Sequence, residues 1–593
     1  MSKIGALACD VLVVGSGAAG LATAVAARVM KLDVLVVEKA PVFGGTTAWS
    51  GGWLWIPCNA HAHNAGTGDT LTAARTYLQS ELGSGFDAAR VDAFLENGPR
   101  MVDFFERETA VQFFPGLATP DFHSQSPGAA SGRSICALPI DGRELGGMIG
   151  KLRPPLPEIT VLGMAVAAGA DLRHFMNAPR SAASAWYAAK RFARYGADRL
   201  RHGRGMHLVN GHALIARLLK SAMDGGVRLW TDAPVDELIV VEGAVTGACV
   251  AMPAGTVRVA ARRGVVLACG GFPHDAARQH ALFPHMSSGN AHWSAAPPDN
   301  TGDGLRLAET AGAAIDPRTA HPAAWAPVSE VRHRDGRVGR FPHLIDRAKP
   351  GVIAVTAEGR RFVNEAGSYH DFIAALQAVT LPGRDVVAYL LADHRAMRRY
   401  GLGFAKPFPF PLATYLRSGY LKRGATVAAL AAACGIDALA LTATIAEYNR
   451  DAVNGDDPAF GRGSTPFIRF GGDADRRPNP CVAPLARGPY YAVKLLPGSL
   501  GTFAGIGTDR HARALSADGS PIAGLYAVGN DMASVMGGHY PGGGITLGPA
   551  MTFGYLAACH LAGIGAAPSA SAQPSRDVSH PAVVDEHLAH SRP

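Results

Sequence analysis

The chain has 593 residues, 48% hydrophobic and 18% charged, long enough for two domains and a large core. Net charge is +8, but the basic residues are mostly scattered singly and no basic–aromatic nucleic-acid motif occurs, so there is no case for a nucleic-acid partner. The eight cysteines show no C-x-x-C spacing and several sit in apolar runs, which fits free thiols in a reducing compartment better than disulfides or a metal site.

Val11 to Val14 reads as a buried parallel strand. It begins by residue 10, leaving no room for a signal peptide, and no apolar run reaches the length of a membrane span, so a cytoplasmic location is expected. Gly15, Gly17 and Gly20 follow at G-x-G-x-x-G spacing into an Ala-rich helix from about Ala18 to Met30. Gly15 permits the tight turn, Gly17 lets backbone approach a pyrophosphate, and Gly20 lets helix and strand pack closely. A second strand, Asp33 to Val37, ends in Glu38, an acid at the distance expected for a ribose hydroxyl. This is a dinucleotide site, and the fingerprint serves NAD and FAD alike.

Gly44 to Pro57, GGTTAWSGGWLWIP, is suited to placing small side chains and N–H groups against a flat ring. Residues 159–205 carry an apolar stretch and then a basic helix in which Lys190, Arg191, Arg194, Arg199, Arg201 and Arg204 accompany a single acid, Asp198. Its Trp186, Tyr187, Phe192 and Tyr195 do not share one face, which predicts a surface helical insertion, with peripheral contact to an anionic membrane as the alternative. Val227 to Val250 reads as strands, and Thr256 to Leu267 leads into a Gly-Gly turn at Ala268 to Phe272. From about Pro273 to Pro484 the texture turns to mixed strands and helices with Pro-rich connectors, an inserted domain. The chain then returns through GPYYAVKL and GLYAVGND and closes with a helix from about Ile545 to Ala562. The expected domains are 1–275 with 485–565 for the nucleotide and 276–484 for the substrate, followed by a disordered Ala-, Ser- and Pro-rich tail, 566–593.

Taken in order, GSGAAG, Glu38, GGTTAWSGG, DNTGDG, RRFVNEAGSYHDF, GLYAVGND and HYPGGGITLGPAMTFGYLAA resemble the FAD-dependent 3-ketosteroid dehydrogenases, within the fumarate reductase and succinate dehydrogenase flavoprotein superfamily. The resemblance implies an α/β protein, a Rossmann-like FAD-binding domain carrying an inserted α+β catalytic domain. It implies FAD contacts from Gly15, Ser16, Gly17, Ala18, Ala19 and Gly20, from Glu38 and Lys39, and from Gly45, Thr46, Thr47, Ser50, Gly51 and Gly52. Val235, Gly270, Asp303, Asn530, Asp531, Gly544, Thr546 and Leu547 complete that set. Relatives that bind FAD covalently carry a His where this chain reads GGTTAWSGG, so the FAD is expected to be non-covalent.

For the chemistry, the resemblance implies that Tyr540 and the Gly544 N–H polarise a ketone oxygen and that Tyr369 takes the α-proton. A further family Tyr that assists the base is replaced here by Phe122, leaving His123 or His370 as substitutes. Trp53, Trp55 and Phe122 are candidate walls for a polycyclic substrate. The expected partners are a bulky hydrophobic ketone and an electron acceptor such as a quinone. Two alternatives remain: a 3-ketosteroid 4-dehydrogenase, and a fumarate-reductase-like enoate reductase using one of Arg417, Arg423, Arg462 and Arg469 as proton donor. A non-catalytic FAD-binding scaffold is disfavoured by the Tyr540 and Gly544 pair.

Overall fold

In a computed structural model, which describes residues 5–287, 289 and 291–564, the run Val11–Val14 is buried at the centre of an eight-stranded sheet. Its strand, Gly5–Val14, pairs in parallel with Val34–Val37 on one side and with Gly255–Leu267 on the other. Arg228–Trp230 and Pro521–Ala527 extend the parallel set outward. Strands covered on both faces must be apolar on both, so they read as unbroken Val and Leu rather than as an alternation. Because the first strand's two neighbours come from opposite directions in the strand order, a crevice opens at the C-terminal ends of the strands. Gly15, Glu38, Ala268 and Val528, each the first residue after a strand, all border the cavity that fills it. The helix Ala18–Val29 leaves this crevice and packs on Asn210–Asp224 and Leu547–Leu561.

A second, seven-stranded sheet is built around Tyr490–Thr502. That strand runs antiparallel to Ala323–Arg332, with Val328 against Leu496, and to Ala388–Ala392, with Leu390 against Val493. This corrects the sequence expectation that residues from 485 onward belong to the nucleotide domain. The return to the first sheet comes only with Arg513–Leu515 and Pro521–Ala527. A buried strand looks alike in either sheet, because its partners lie far away in sequence. The predicted tail, 566–593, lies outside the described residues.

The 159–205 segment forms two helices, Ala170–Asn177 and Ala182–His202. It is more than a surface appendage, since Val166, Leu172, Phe175, Met176 and Phe192 line the same cavity. Its charges are paired within the segment and beyond it: Arg191 meets Asp171 of the preceding helix at 3.4 Å, Arg194 meets Asp141 at 3.7 Å, and Asp198 is taken by Arg143 at 2.7 Å. Trp186 stays 66% exposed, while Tyr187 stacks on His174 and Phe192 packs on Phe175. No helix among the described residues is long and apolar enough to cross a membrane.

Beneath the second sheet lies a group of buried charges. Glu365 is fully buried and accepts hydrogen bonds from Arg361 at 2.8 and 2.9 Å, from Arg462 at 2.9 Å and from the Ala354 N–H at 3.0 Å. Arg361 also forks onto Asp457 at 2.7 and 2.8 Å. Arg347 donates to the Glu365 carbonyl at 2.6 Å and to the Gly367 carbonyl at 3.2 Å, so the segment leading into the helix Tyr369–Val379 is tied on both sides. Burial opposes the Glu365 charge, but the two arginines outweigh it and hold the carboxyl at about 2. Glu365→Gln leaves the arginines facing a neutral amide, and a loss of about 3–5 kcal/mol in denaturant unfolding is expected. Because the folded carboxyl is depressed from its ordinary 4.5, the wild-type advantage is full above that value and shrinks as pH falls towards about 2. A difference between the two proteins that does not change with pH would rule this role out.

Candidate active site

One cavity of about 1680 Å³ runs from the dinucleotide crevice to the underside of the second sheet. The implied FAD residues come to it from separate segments: Gly15 to Ala19, Glu38 and Lys39, Gly45 to Thr47, and Ser50 to Gly52. Val235, Gly270, Asp303 and Asn530 join them, with Gly544, Thr546 and Leu547 at the head of the last helix. The shape fits a dinucleotide. A Cβ placed on Gly17 would meet nothing nearer than Thr47 Oγ1 at 3.8 Å, so the room it leaves is ligand room. Gly17 caps the helix Ala18–Val29 with no side-chain bond of its own, and the cap of Leu547–Leu561, Thr546, likewise makes none. Two helix N-termini therefore turn N–H groups and a positive dipole end toward the cavity, where phosphate and flavin oxygens can be held. Glu38, pinned by Ser16 Oγ at 2.5 Å and by the Ala40 N–H at 2.9 Å, edges the crevice where the ribose hydroxyls would lie.

Three predicted residues do not reach the cavity. A Cβ on Gly20 would sit 2.1 Å from the Gly15 carbonyl oxygen, so Gly20 serves helix–strand packing rather than ligand contact. Asp531 is fully buried and spends its carboxylate on the N–H groups of Cys269 at 2.6 Å and Gly271 at 2.8 Å. It braces the turn behind the cofactor space, and burial pushes its carboxyl up to about 6 despite those bonds. Trp55 is core: its indole N–H goes to buried Asp121 at 2.8 Å and its ring stacks on Phe94, leaving Trp53 to line the cavity.

Tyr369 and Tyr540 meet on the cavity wall. Tyr369 is the first residue of its helix, behind the cap Ser368, whose Oγ accepts from the His370 N–H at 3.2 Å. Tyr540 arrives on the glycine loop ahead of Gly544, which takes φ +102°, a value L side chains rarely adopt. The two phenol rings stand edge to face at 4.9 Å, close enough for each hydroxyl to act on the other's ionisation, and Thr546 adjoins Tyr540. Burial pushes Tyr540 up to about 12, and the neighbouring Tyr369 and Thr546 only partly offset it. Tyr369 lies well above its ordinary value, first through burial and then through Tyr540, while the Arg347 charge opposes the rise. Phe122 stacks on Tyr540 at 5.6 Å, stands edge-on to Tyr369 at 5.5 Å, and is backed by Phe467 at 4.3 Å.

Of the two histidines offered as substitutes, His123 is engaged at both ring nitrogens and His370 at one, its Nε2 being buried without a partner. His123 is held between Glu81 and Asp371; burial lowers its pKa, but those carboxylates outweigh it and push it up to about 10. His370 accepts the Trp325 N–H at Nδ1, 3.1 Å, and burial holds it well below 6.5. Arg347, which sequence reasoning missed, is the charge that faces Tyr369. It lies in an unremarkable stretch, HLIDRAKP, and only the ties to Glu365 and Gly367 bring it there. Of Arg417, Arg423, Arg462 and Arg469, none lines the cavity, and Arg462 is locked on Glu365.

Fold and site define a flavin-dependent oxidoreductase with an enclosed aromatic substrate space. The chain belongs to the FAD binding domain family, whose model matches residues 10–547, in the branch that holds the 3-oxosteroid 1-dehydrogenases. It is 43% identical to a 4-oxocyclohex-2-ene-1-carboxylate 5-dehydrogenase of Sinomonas cyclohexanicum, covering 95% of both chains. It is 38% identical to a 3-oxosteroid 1-dehydrogenase of Mycobacterium tuberculosis, over 93% of this chain and 98% of that one. Among solved structures, the 3-ketosteroid delta1-dehydrogenase of Sterolibacterium denitrificans, in complex with 1,4-androstadiene-3,17-dione, superposes with a TM-score of 0.85 at 36% identity, over 94% and 99% of the two chains.

The two glycines make opposite predictions. Gly17→Val adds bulk only to ligand room, so it is expected to fold normally and to weaken FAD retention by roughly tenfold or more, about 1.4 kcal/mol. Gly20→Val drives a side chain into backbone and is expected to lower thermal stability first. Cofactor stoichiometry and melting temperature of the purified variants check both.

Proposed function

We propose that the chain desaturates a cyclic ketone next to its carbonyl, as a 3-ketosteroid or similar bulky ring. The observation that carries this reading is the buried Tyr369 and Tyr540 pair, in ring contact on the wall of the cavity that also holds the dinucleotide cradle. The named substrates of the relatives share a six-membered ring ketone and differ in what is attached to it.

In this reading Tyr540, kept neutral by burial, donates its O–H to the ketone oxygen together with the Gly544 N–H, and the enolate charge develops against these donors. Tyr369 takes the α-proton, helped by the buried Arg347 charge, which favours its phenolate. Phe122 and Phe467 hold the ring plane and keep water away from the two phenols. FAD, held without a covalent bond because Gly44 to Gly52 contains no His, supplies the hydride acceptor when bound. A quinone then serves as the outgoing electron acceptor. The absence of the four candidate proton-donor arginines from the cavity favours ketone chemistry over dicarboxylate reduction. Desaturation on the other side of the ketone would use the same pair and is decided by product structure.

Anaerobic addition of 4-androstene-3,17-dione, cholest-4-en-3-one or a 5α-3-ketosteroid to the holoenzyme should bleach the flavin absorbance and yield a new ring double bond, with succinate inert. No bleaching by any of these ketones, with dithionite-reduced enzyme instead reoxidised by fumarate, would sink the reading. Tyr540→Phe and Tyr369→Phe should each cut turnover by about 100-fold or more with FAD retained. Because Tyr369 sits well above 10, its basic form accumulates only in alkali. The wild-type rate should therefore keep climbing past pH 10, and a plateau near neutrality would remove Tyr369 as the base.

A further inference from the structure

Gly542, Gly543 and Gly544 stand in a row in the loop that delivers Tyr540, and a peptide bond between two glycines can turn over, because glycine adopts φ of either sign. The peptide that matters joins Gly543 to Gly544. It is trans and planar, so its carbonyl and its N–H point in opposite directions and fixing one fixes the other. Turned one way, it aims the Gly544 N–H at the cavity. Turned the other way, it aims the Gly543 carbonyl there, an acceptor set against an oxygen that gains negative charge.

Donors from the first half of the chain hold the carbonyls of this loop. Pro541 O accepts from Tyr77 Oη at 2.6 Å and from the Phe122 N–H at 2.9 Å, and Gly544 O accepts from the Trp55 N–H at 3.1 Å. Between them, Gly543 O accepts from the Ser134 hydroxyl at 2.8 Å. Among the described residues no acceptor takes the Gly544 N–H, and Gly544 lines the cavity. Ser134 is itself firmly placed. It is buried on the strand Ser134–Ala137, where it lies opposite Trp55, and its carbonyl accepts the Gly116 N–H at 2.8 Å. Arg133, the residue before it, is buried between Asp69 and Asp121 at 2.7 Å each. One strand pair thus supplies the donors to two successive carbonyls, those of Gly543 and Gly544.

We propose that Ser134 is a positioning residue for the reaction: by holding the Gly543 carbonyl away from the cavity, its hydroxyl keeps the Gly544 N–H aimed at the ketone oxygen. The proposal rests on the ring-ketone reading above, in which that N–H helps to carry the enolate charge. The bond does more than set direction, because a carbonyl that accepts a hydrogen bond polarises its peptide and makes the N–H on the other side a stronger donor. Gly544 cannot be used to test this, since a Cβ there would sit 2.5 Å from the Trp53 carbonyl oxygen. Ser134 can, because Ser134→Ala removes one oxygen atom and leaves the backbone that lines the site unchanged in sequence.

The test is the ring-ketone stretch of 1,4-androstadiene-3,17-dione bound to the holoenzyme, read by difference infrared spectroscopy with the 17-ketone as internal reference, alongside steady-state rates with 4-androstene-3,17-dione. In the wild-type protein the band is expected at lower frequency than in solution, and in Ser134→Ala it should move back towards the solution value. The same variant should lose at least about tenfold in kcat, with KM and FAD content held within about threefold. Ser134→Thr keeps the hydroxyl and should recover most of the band shift and the rate. A band that Ser134→Ala leaves at the wild-type frequency overturns the proposal whatever happens to the rate or the melting temperature, because a merely structural role leaves the oxyanion donors in place. A wild-type holoenzyme that binds no dienone, or binds it with an unshifted band, is a different failure: it removes the ring-ketone reading, and the role of Ser134 with it.

Discussion

Glu365 is the point from which the catalytic half of this molecule is hung. A carboxylate with no exposure is costly unless every oxygen is paired, and here two arginines and a backbone N–H meet that demand. The same arginines reach outward: Arg361 to Asp457, and Arg462 to the carbonyls of Arg347, Lys349 and Val352. The network therefore joins strand Val352–Thr356, the Arg347 turn and the loop that ends in Ser368. Tyr369 inherits its place from this network, because it is the first residue after a segment that cannot shift without unpairing charges in a low-polarity interior.

The other half depends on a different constraint, the reversal of strand order around Gly5–Val14. That reversal opens the crevice, and Gly15, Glu38, Ala268 and Val528 border it at the ends of strands, with Thr546 and Leu547 at the beginning of a helix. Two consequences meet at Tyr540. Its loop leads into the helix Leu547–Leu561, whose N-terminus faces the cofactor space, while its ring packs against Tyr369 from the second domain. The site thus exists only where the two sheets are brought together, and neither half contains both phenols.

Much of this could be read from the chain alone, and the exceptions have physical reasons. The fingerprint around Gly17, the acid at Glu38 and the spacing from Tyr540 to Gly544 are local patterns, and local patterns survive in sequence. Gly20 and Asp531 belong to the same motifs but work from behind, through packing and backbone bonds, a distinction that spacing does not carry. Trp53 and Trp55 look equivalent until Asp121 claims one indole N–H. Sequence places the strand Tyr490–Thr502 in the wrong sheet because its partners, Lys422–Gly424, Ala388–Ala392 and Ala323–Arg332, all lie far back along the chain. Arg347 sits in a stretch without any motif, and its place beside Tyr369, tied to backbone carbonyls, is revealed only in three dimensions.

Phe122, standing where the family resemblance implies a Tyr, is best understood in the same terms. A hydroxyl at that position would stand among Tyr369, Tyr540 and Phe467 and would add another polar group to a pocket where burial already raises both phenols. Phe122 keeps the stacking surface and gives up the bond. What remains to favour the Tyr369 phenolate is charge, and the charge at hand is Arg347, tied to carbonyls and facing no carboxylate within salt-bridge reach. Electrostatic help of this kind acts without a hydrogen-bond geometry to satisfy, so it tolerates a ring in place of a phenol. The aromatic wall of Phe122 and Phe467 and the charge of Arg347 are then two parts of one arrangement around Tyr369: apolar rings on one side lower the local polarity, and lower polarity strengthens the charge on the other.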